Sequence, residues 1–337
     1  MYRRIFYIVL YIGILLTACE AERTDMHSPR ENFEALWKIM DEYYCFFDYK
    51  QIDWQEVYDR YSPQVHESMD QYELFDLLGK MLEELKDGHT NLISSFNTSR
   101  YWAWYEDYPA NFSSDILNNY LGKSNEYKQV GGIKYRTLDE GRIGYIYYGS
   151  FATGIGDSQL DDIFDYFKAC HGLIIDIRDN GGGTLSNSDR IASRFPDEKT
   201  LVGYIQHKTG RGHARFSDPY PIYLLPSERI HWTRPVVVLT NRRCYSAANN
   251  FVQKMSRMSQ ATILGDRTGG GSGFPFHSEL PNGWSIRFSA SPMLNEKKEH
   301  TEFGIDPDIH VSLTTEDSMK GRDTLIERAI HFLRLSE

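Results

Sequence analysis

Ser246 stands where a hydroxyl could act as a nucleophile. It lies between an apolar segment, PVVVLT, and a segment with helical periodicity, SAANNFVQKMSRM. A serine at the start of a helix commonly caps the first turn. The free backbone N–H groups of that turn could equally stabilise an oxyanion formed beside the serine. The local sequence therefore leaves two interpretations open, a helix cap and a catalytic nucleophile.

A serine nucleophile needs a base with a pKa near the working pH, and histidine is the usual one. His89, in the segment KDGHTNL, follows a predicted helix, where a structural role in a turn is the alternative. Spacing alone does not choose between His89 and the histidines at 66, 171, 207, 213, 231, 277, 300 and 310. Cys244 is an alternative nucleophile, although a free cysteine is more often a small buried hydrophobe.

Two glycine-rich segments could bring backbone N–H groups close to a ligand. They are DIRDNGGGTLSNSD at 176–189 and TGGGSG at 268–273. Neither continues into the GK[ST] of a phosphate-binding loop, and neither has the GxGxxG spacing of a dinucleotide site. A tight turn and an oxyanion-binding turn remain as interpretations of the first segment.

Composition indicates a globular protein with a sizeable core, since 41% of the 337 residues are hydrophobic and 25% are charged. The net charge of −10 argues against nucleic acid as a partner. The sequence has no CxxC or HExxH pattern, so we predict neither a metal nor another cofactor.

The first residues resemble a secretory signal. Arg3 and Arg4 precede an apolar run from Ile5 to Leu16, which is too short for a confident membrane span. The following LTAC resembles the lipobox of bacterial lipoproteins, with Cys19 as the lipidated residue. We therefore expect a protein of the cell envelope, anchored to a membrane by lipid and exposed to the periplasm or the cell exterior. An ordinary signal peptide that contains a cysteine is the alternative.

The pattern along the chain predicts a signal peptide at 1–18 and a tether at 19–27. A small helical domain follows at 28–95, where Ser28 and Asp53 are expected to cap helices and Gly88 to end one. An irregular connecting segment at 96–140 leads to an α/β domain at 141–337, in which continuous apolar strands alternate with helices.

Five segments in this order resemble the tail-specific (C-terminal processing) serine protease family, especially its tricorn core protease and retinol-binding-protein-like branch. They are LKDGHTNL at 85–92, LIIDIRDNGGG at 173–183, LTNRRCYSAANNF at 239–251, GDRTGGGSG at 265–273 and FGIDPDIHV at 303–311. The resemblance spans roughly residues 30 to 335.

The resemblance implies a crotonase-like (ClpP-like) core of β/α units and a serine endopeptidase that acts on peptides or proteins. Ser246 matches the nucleophile, and His89 matches the base of the tricorn-like branch. The N–H groups of Ala247 and Gly182 match the oxyanion hole. Glu302 lies near the family's charge-stabilising glutamate, although its spacing from the next glycine differs by one residue.

Departures from the family pattern are also informative. Gly271 stands where the serine–lysine branch carries its lysine, so a serine–lysine pair is not expected. Asn249 stands where many members have glutamate, and the segment between Asn91 and Gly141 is too short for a PDZ domain. Two alternatives remain: a non-catalytic binding protein on the same fold, and a structural lipoprotein. For the binding protein, RYWAWYEDY at 100–108 could line a groove, or could simply pack as a flap.

Overall fold

The computed structural model describes residues 28–336. The predicted signal peptide, Cys19 and the tether at 19–27 lie outside the described residues. Within 28–336, no helix has the length and apolar character required to cross a membrane.

The helices of the described chain are α1 (Pro29–Tyr43), α2 (Phe47–Lys50), α3 (Trp54–Tyr61), α4 (Gln71–Glu83), α5 (Ala103–Glu106), α6 (Ser114–Leu121), α7 (Asp157–Tyr166), α8 (Leu185–Ala192), α9 (Ala247–Met255), α10 (Thr315–Met319) and α11 (Thr324–Arg334). Short 3₁₀ helices cover Ser62–Gln64 and Asp139–Gly141. The strands are β1 (Asn91–Ile93), β2 (Thr98–Arg100), β3 (Lys128–Val130), β4 (Ile133–Leu138), β5 (Ile143–Tyr148), β6 (Gly172–Asp176), β7 (Thr200–Ile205), β8 (Tyr220–Leu224), β9 (Val236–Thr240), β10 (Ala261–Gly265), β11 (Gly273–Glu279), β12 (Ser285–Leu294) and β13 (Ile309–His310).

The first helices begin where their capping residues predict. Ser28 and Glu31 form a reciprocal capping box at the start of α1. Asp53 accepts hydrogen bonds from two backbone N–H groups at the start of α3. The prediction that Gly88 ends the third predicted helix is wrong: α4 ends at Glu83, and Lys86 takes the left-handed conformation with φ of 47°. The chain thus leaves the helix early enough for residues 85–90 to form a separate turn.

A seven-stranded sheet forms the centre of the molecule, in the order β13-β10-β9-β6-β5-β4-β3. Within this sheet, β5, β6, β9, β10 and β13 run parallel to one another. Strands β4 and β3 add antiparallel pairs at one edge. Helices α7, α8 and α9 contribute to the apolar core on one face, and α6 and α11 to that on the other. The predicted α/β fold class is confirmed.

A second sheet has the order β2-β1-β12-β7-β8, with β11 on the other side of β12. Apolar residues of β1 and β12, including Leu92, Ile286 and Phe288, share a buried core with helices α1 to α4. Strand β1 lies within the range predicted as a helical domain, yet it pairs with β12 almost 200 residues later in the chain. The predicted domain boundaries remain predictions. The second sheet nevertheless combines strands from both sides of the predicted boundary at residue 95.

Candidate active site

Ser246 lies six residues after the end of β9, in the turn that leads directly into α9. Its backbone has φ of 57° and ψ of −117°, a conformation that residues with a side chain rarely adopt. The Ser246 side chain makes no capping hydrogen bond to the helix, so the interpretation of Ser246 as a helix cap is wrong. A strained strand-to-helix turn that holds a serine hydroxyl clear of the backbone is typical of nucleophilic serines.

Main-chain hydrogen bonds fix this turn from both sides. The N–H of Ser246 donates to the Gly270 carbonyl at 2.8 Å, and the N–H of Gly269 donates to the Cys244 carbonyl at 2.9 Å. The N–H of Tyr245 donates to the Asn180 carbonyl at 3.1 Å. The two predicted glycine-rich segments therefore flank the serine, because each follows a parallel strand next to or near β9 and strand ends meet at one sheet edge.

The predicted oxyanion donors lie beside Ser246. Ala247 is the first residue of α9, so its N–H has no acceptor within the helix. The Cα of Gly182 approaches so closely that a methyl group there would lie 2.8 Å from Ser246 Cβ and 2.9 Å from the Ala247 nitrogen. The N–H of Gly182 itself donates to Asn180 Oδ1 at 2.9 Å. Its role as an oxyanion donor stays a prediction, and it would require this hydrogen bond to be shared or released.

His89 lies in the turn between α4 and β1 and lines the same cavity as Ser246. The ring of His89 is buried and meets Tyr245 edge-on, with centroids 5.0 Å apart. Neither ring nitrogen makes a well-aligned hydrogen bond within the described residues, although the Gly273 backbone lies close enough to favour the protonated ring. Burial lowers the pKa of His89 to about 4, against the opposing effect of Asp87. His89 is therefore neutral at neutral pH, as a general base must be.

A cluster of three buried charged side chains, Lys50, Asp87 and Glu302, adjoins the turn that contains His89. Asp87 Oδ1 accepts a hydrogen bond from the His89 backbone N–H at 2.8 Å. Lys50 Nζ lies 3.8 Å from Asp87 Oδ2 and 3.0 Å from Glu302 Oε1, and all three side chains are almost fully buried. Glu302 Oε2 accepts from the Ser272 N–H at 2.8 Å. The cluster contains two carboxylates and one cation.

The pKa values within this cluster follow from burial and charge. Burial, together with the charge of Asp87, raises the pKa of Glu302 to about 7, although Lys50 opposes the shift. Burial alone would raise the pKa of Asp87 as well, but Lys50 and His89 hold it below its usual value. Asp87 is therefore the more firmly ionised of the two carboxylates and the one nearer the histidine.

The sequence led to Glu302 but missed Asp87 and Lys50 as parts of the site. Glu302 makes no hydrogen bond to the His89 ring and reaches the histidine only through Lys50 and Asp87. Asp87 could have been found, since an aspartate two residues before a histidine commonly accepts that residue's backbone N–H. Lys50 ends a four-residue helix in the helical region, and no local pattern marks it.

The other candidates have structural roles. The Cys244 side chain is fully buried and lies 3.1 Å from the Ile177 carbonyl, and burial raises the pKa of its thiol, so it is not placed to act as a nucleophile. Trp104 stacks on Tyr245 at 4.1 Å, and Arg242 Nε donates to the Trp104 carbonyl at 2.7 Å. Trp104 of the segment RYWAWYEDY thus packs over the Ser246 turn, and no residue of 100–108 lines the cavity that contains Ser246. Tyr105, Glu106 and Tyr108 line a separate cavity of about 260 Å³.

The cavity beside Ser246 has a volume of about 390 Å³. Among the histidines of the described chain, only His89 lines it.

Gly271, where the serine–lysine branch has its lysine, lies against the Tyr245 ring with φ of 75°, so no side chain fits there. The Thr268 hydroxyl donates a hydrogen bond to Asn249 Oδ1 at 2.6 Å. Across residues 28–336 no group of His, Cys, Asp and Glu side chains is arranged to hold a metal ion.

A serine in a strained turn that opens a helix and shares a cavity with a neutral buried histidine is typical of hydrolases that use a serine nucleophile. Residues 142–311 match the family model of peptidase family S41, and residues 27–83 match the model of the tricorn protease C1 domain. The chain belongs to peptidase family S41. The predicted resemblance to tail-specific and tricorn-like proteases is confirmed.

The chain is similar to a solved structure of a candidate peptidase from Parabacteroides merdae, with 64% identity and a TM-score of 0.87 over 91% of this chain and 97% of that one. The carboxy-terminal processing protease CtpA of Bacillus subtilis is 25% identical over 53% of this chain and 37% of its own length. The tricorn protease of Thermoplasma acidophilum is 24% identical over 58% of this chain and 17% of its own. The chain thus spans well under half the length of the curated relatives it matches.

Proposed function

We propose that this chain is a serine endopeptidase in which Ser246 is the nucleophile and His89 is the general base. The observation that carries the proposal is the conformation of Ser246: the backbone is strained, and the hydroxyl makes no capping bond that would repay the strain. The hydroxyl instead borders a cavity shared with one buried, neutral histidine.

The proposed reaction is acyl transfer. His89 accepts the hydroxyl proton while Ser246 Oγ bonds to the peptide carbonyl carbon, and the carbonyl oxygen becomes an oxyanion beside the Ala247 N–H. His89 then protonates the leaving amine as the C–N bond breaks, and a water molecule releases the acyl group by the same steps. One backbone donor to the oxyanion is worth about 3 kcal/mol of barrier.

The ion cluster would assist His89 when it becomes positively charged. Asp87 is the charged group nearest to His89 in the chain and favours the imidazolium form. Glu302 would act indirectly, because it forms an ion pair with Lys50. That pairing determines how strongly Lys50 offsets the effect of the Asp87 charge on the protonation of His89. We therefore assign Glu302 as a positioning residue, and not as a group that contacts the base.

The test compares the wild-type chain with Ser246→Ala and His89→Ala on a diverse peptide library, with cut sites identified by mass spectrometry. Loss of cleavage in both variants, with unchanged circular dichroism, is the expected result. Cleavage retained by Ser246→Ala would overturn the assignment. A wild-type protein that folds and binds peptides without cutting any would support the alternative, a non-catalytic binding protein.

We also propose that Cys19 carries a lipid that anchors the protein to a membrane of the cell envelope. The support is the sequence alone: Arg3, Arg4, the apolar run and the small residues before Cys19. Incorporation of labelled palmitate in cells, lost in Cys19→Ser, is the expected outcome. Label that persists in Cys19→Ser would refute the site.

A further inference from the structure

Arg287 places a positive charge in the wall of the cavity beside Ser246. It lies on β12 and is paired directly with Asn91 of β1, and it lines the cavity together with Ser246 and His89. Within the described residues its side chain donates one hydrogen bond, to Asn91 Oδ1, and that bond is 3.5 Å long. With the described residues Arg287 forms no ion pair.

Two fully buried arginines of the described chain are neutralised by carboxylates, and a third buried arginine, Arg242, has no ion pair but donates to the carbonyls of Trp104 and Thr268. Arg178 binds the carboxylates of Asp176 and Asp323, and Arg194 binds those of Asp157 and Asp161. Burying a cation is costly unless a partner offsets the loss of water. Arg287 is about half-buried and forms no close ion pair, and only the more distant charge of Asp87 favours it, which leaves its guanidinium able to bind an anion that arrives with a ligand.

The rest of the cavity fits a ligand with one charged end. Its lining contains apolar side chains, among them Leu185, Phe274 and Met293, and neutral amides, but no aspartate or glutamate. Arg100 of β2 pairs with Asn91 from the other side, so a second arginine lies two strands away on the same face of the sheet. A local positive potential in a chain of net charge −10 favours an anionic ligand.

We propose that Arg287 binds a carboxylate of the substrate while the bond to be cut lies at Ser246; this inference rests on the proposed function. The planar guanidinium suits two parallel hydrogen bonds to a carboxylate. The carboxylate is either the C-terminal group of the substrate or an aspartate or glutamate side chain near the cut bond. The chain would thus select acidic or C-terminal segments.

The bound carboxylate would also act on the base. Three charged groups influence the protonation of His89: Asp87 favours it, while Arg287 and Lys50 oppose it. A substrate carboxylate on Arg287 would offset one of the two opposing charges at the moment when His89 accepts the proton. We therefore expect the carboxylate to raise kcat as well as to lower KM.

The experiment uses a peptide library of mixed sequence in two forms, one with free C-terminal carboxylates and one with C-terminal amides. The wild-type chain, Arg287→Gln and Arg287→Lys are compared, with Arg328→Gln, an exposed arginine of α11, as the matched control. We expect the wild type to cut carboxylate-bearing peptides about tenfold faster or more than their amide counterparts. The preference should vanish in Arg287→Gln, persist in part in Arg287→Lys and stay unchanged in Arg328→Gln.

The two forms of the library identify the source of the carboxylate. A preference for the free-acid form, at a fixed distance from the end, indicates the C-terminal group. A preference for Asp or Glu over Asn or Gln at one position, in both forms, indicates a side chain. Equal cutting of acid and amide peptides by the wild type with no preference for Asp or Glu at any position, or an unchanged preference in Arg287→Gln, would overturn the inference.

A binding measurement separates this inference from the proposed function. Ser246→Ala protein is mixed with both libraries, and the peptides that co-elute in gel filtration are identified. If the wild type cuts nothing, enrichment of carboxylate peptides that is lost in Ser246→Ala/Arg287→Gln supports the Arg287 site although the proposed function has failed. Retention without such enrichment, or no retention, overturns the Arg287 site.

Discussion

The two sides of the candidate site are built in different ways. The serine side, residues 176–183, 240–249 and 265–271, is fixed by main-chain hydrogen bonds between neighbouring strand ends. The histidine side consists of Tyr44, Lys50, residues 85–91, Arg287, Ser289 and Glu302, and buried charges hold it together. The serine side also contains the buried pairs of Arg178 with Asp176 and Asp323, but the Ser246 turn itself is fixed by backbone geometry, whereas the surroundings of His89 depend on electrostatics.

The two sides also differ in how completely their polar groups are paired. One buried side-chain atom without a well-formed hydrogen bond, Ser272 Oγ, lies in the glycine-rich segment that flanks Ser246. Six such atoms lie on the histidine side: Tyr44 Oη, Asp87 Oδ2, both His89 ring nitrogens, Thr90 Oγ1 and Ser289 Oγ. A buried polar atom that is left fully unpaired costs about 1–3 kcal/mol, and the attraction of the Tyr44 and Ser289 hydroxyls to Asp87 offsets part of that cost here. We infer that the serine side is formed in advance and that any adjustment to substrate takes place on the histidine side.

The largest effect is expected from Lys50→Met. The change leaves Asp87 and Glu302 buried without their cation, which should lower the free energy of unfolding by about 3–5 kcal/mol at pH 8. The loss should be smaller at pH 5, because Glu302, with a pKa of about 7, then carries a proton. Urea unfolding at the two pH values measures both effects.

Lys80→Met is the matched control, since Lys80 is exposed on α4 and its substitution should change stability by less than about 0.5 kcal/mol. The double variant Lys50→Met/Glu302→Gln should recover part of the stability at pH 8. A loss in Lys50→Met no larger than in Lys80→Met would mean that charge pairing does not hold the histidine side together.

The next effect concerns the pH dependence of stability. The folded-state pKa of His89, about 4, lies below its unfolded value of about 6.5, so the unfolded chain binds more protons between these values. Stability is therefore present above about pH 6.5 and is lost as the pH falls toward 4, by about 3 kcal/mol. His89→Gln should remove this part of the pH dependence, as measured by chemical unfolding from pH 4 to 7.

Ser246→Ala is the control for this measurement, because it changes the serine side without touching an ionisable group. Its pH profile of stability should be parallel to that of the wild type. If the pH profile of stability of His89→Gln were also parallel to that of the wild type, burial would not hold the histidine neutral. The proposed contrast between the two sides would then fail.

A third prediction tests the close packing of the serine side. A methyl group on Gly182, where φ is 98°, would lie 2.6 Å from the Tyr245 carbonyl oxygen. Gly182→Ala should therefore lower stability by about 2 kcal/mol or more, and it should reduce any peptidase activity by about 100-fold through displacement of Ser246. Thermal unfolding and peptide cleavage measure the two effects.

Gly181 supplies the control, since a methyl group there would meet nothing within 4 Å. Gly181→Ala should change stability by less than about 1 kcal/mol. Equal effects at the two neighbouring positions would show that the turn tolerates displacement and that its geometry is not critical.

The same contrast explains what could be predicted from the sequence. The turns of the serine side were predictable because their residues fall in short contiguous segments after apolar strands, whereas the roles proposed for Ser246 and the glycines came from the resemblance to the tail-specific proteases. The histidine side was not predictable, because its contacts join positions far apart: Lys50 meets Glu302 across more than 250 residues. Within 85–90, the sequence favoured glycine for the left-handed residue, whereas the packing of the turn places Lys86 there.

The smallest effect, on stability alone, is expected from Ser246→Gly, and its sign is informative. The φ of 57° and ψ of −117° at Ser246 cost about 1–3 kcal/mol for any residue with a side chain but little for glycine. Since the hydroxyl makes no capping bond, its loss costs nothing there, and part of the gain is offset by the freedom of glycine in the unfolded chain. Ser246→Gly should therefore be more stable than the wild type by about 1 kcal/mol, while Ser246→Ala should not.

Ser28 provides the opposite case, because its side chain caps α1 and its φ is −54°. Ser28→Gly should lose a few tenths of a kcal/mol and Ser28→Ala about 1 kcal/mol. Two serines that both precede a helix would thus respond to glycine with opposite signs, as measured by thermal unfolding of the four variants. A loss of stability in Ser246→Gly would imply that the serine hydroxyl or its turn contributes to folding, and the case for a turn kept strained for chemistry would be lost with it.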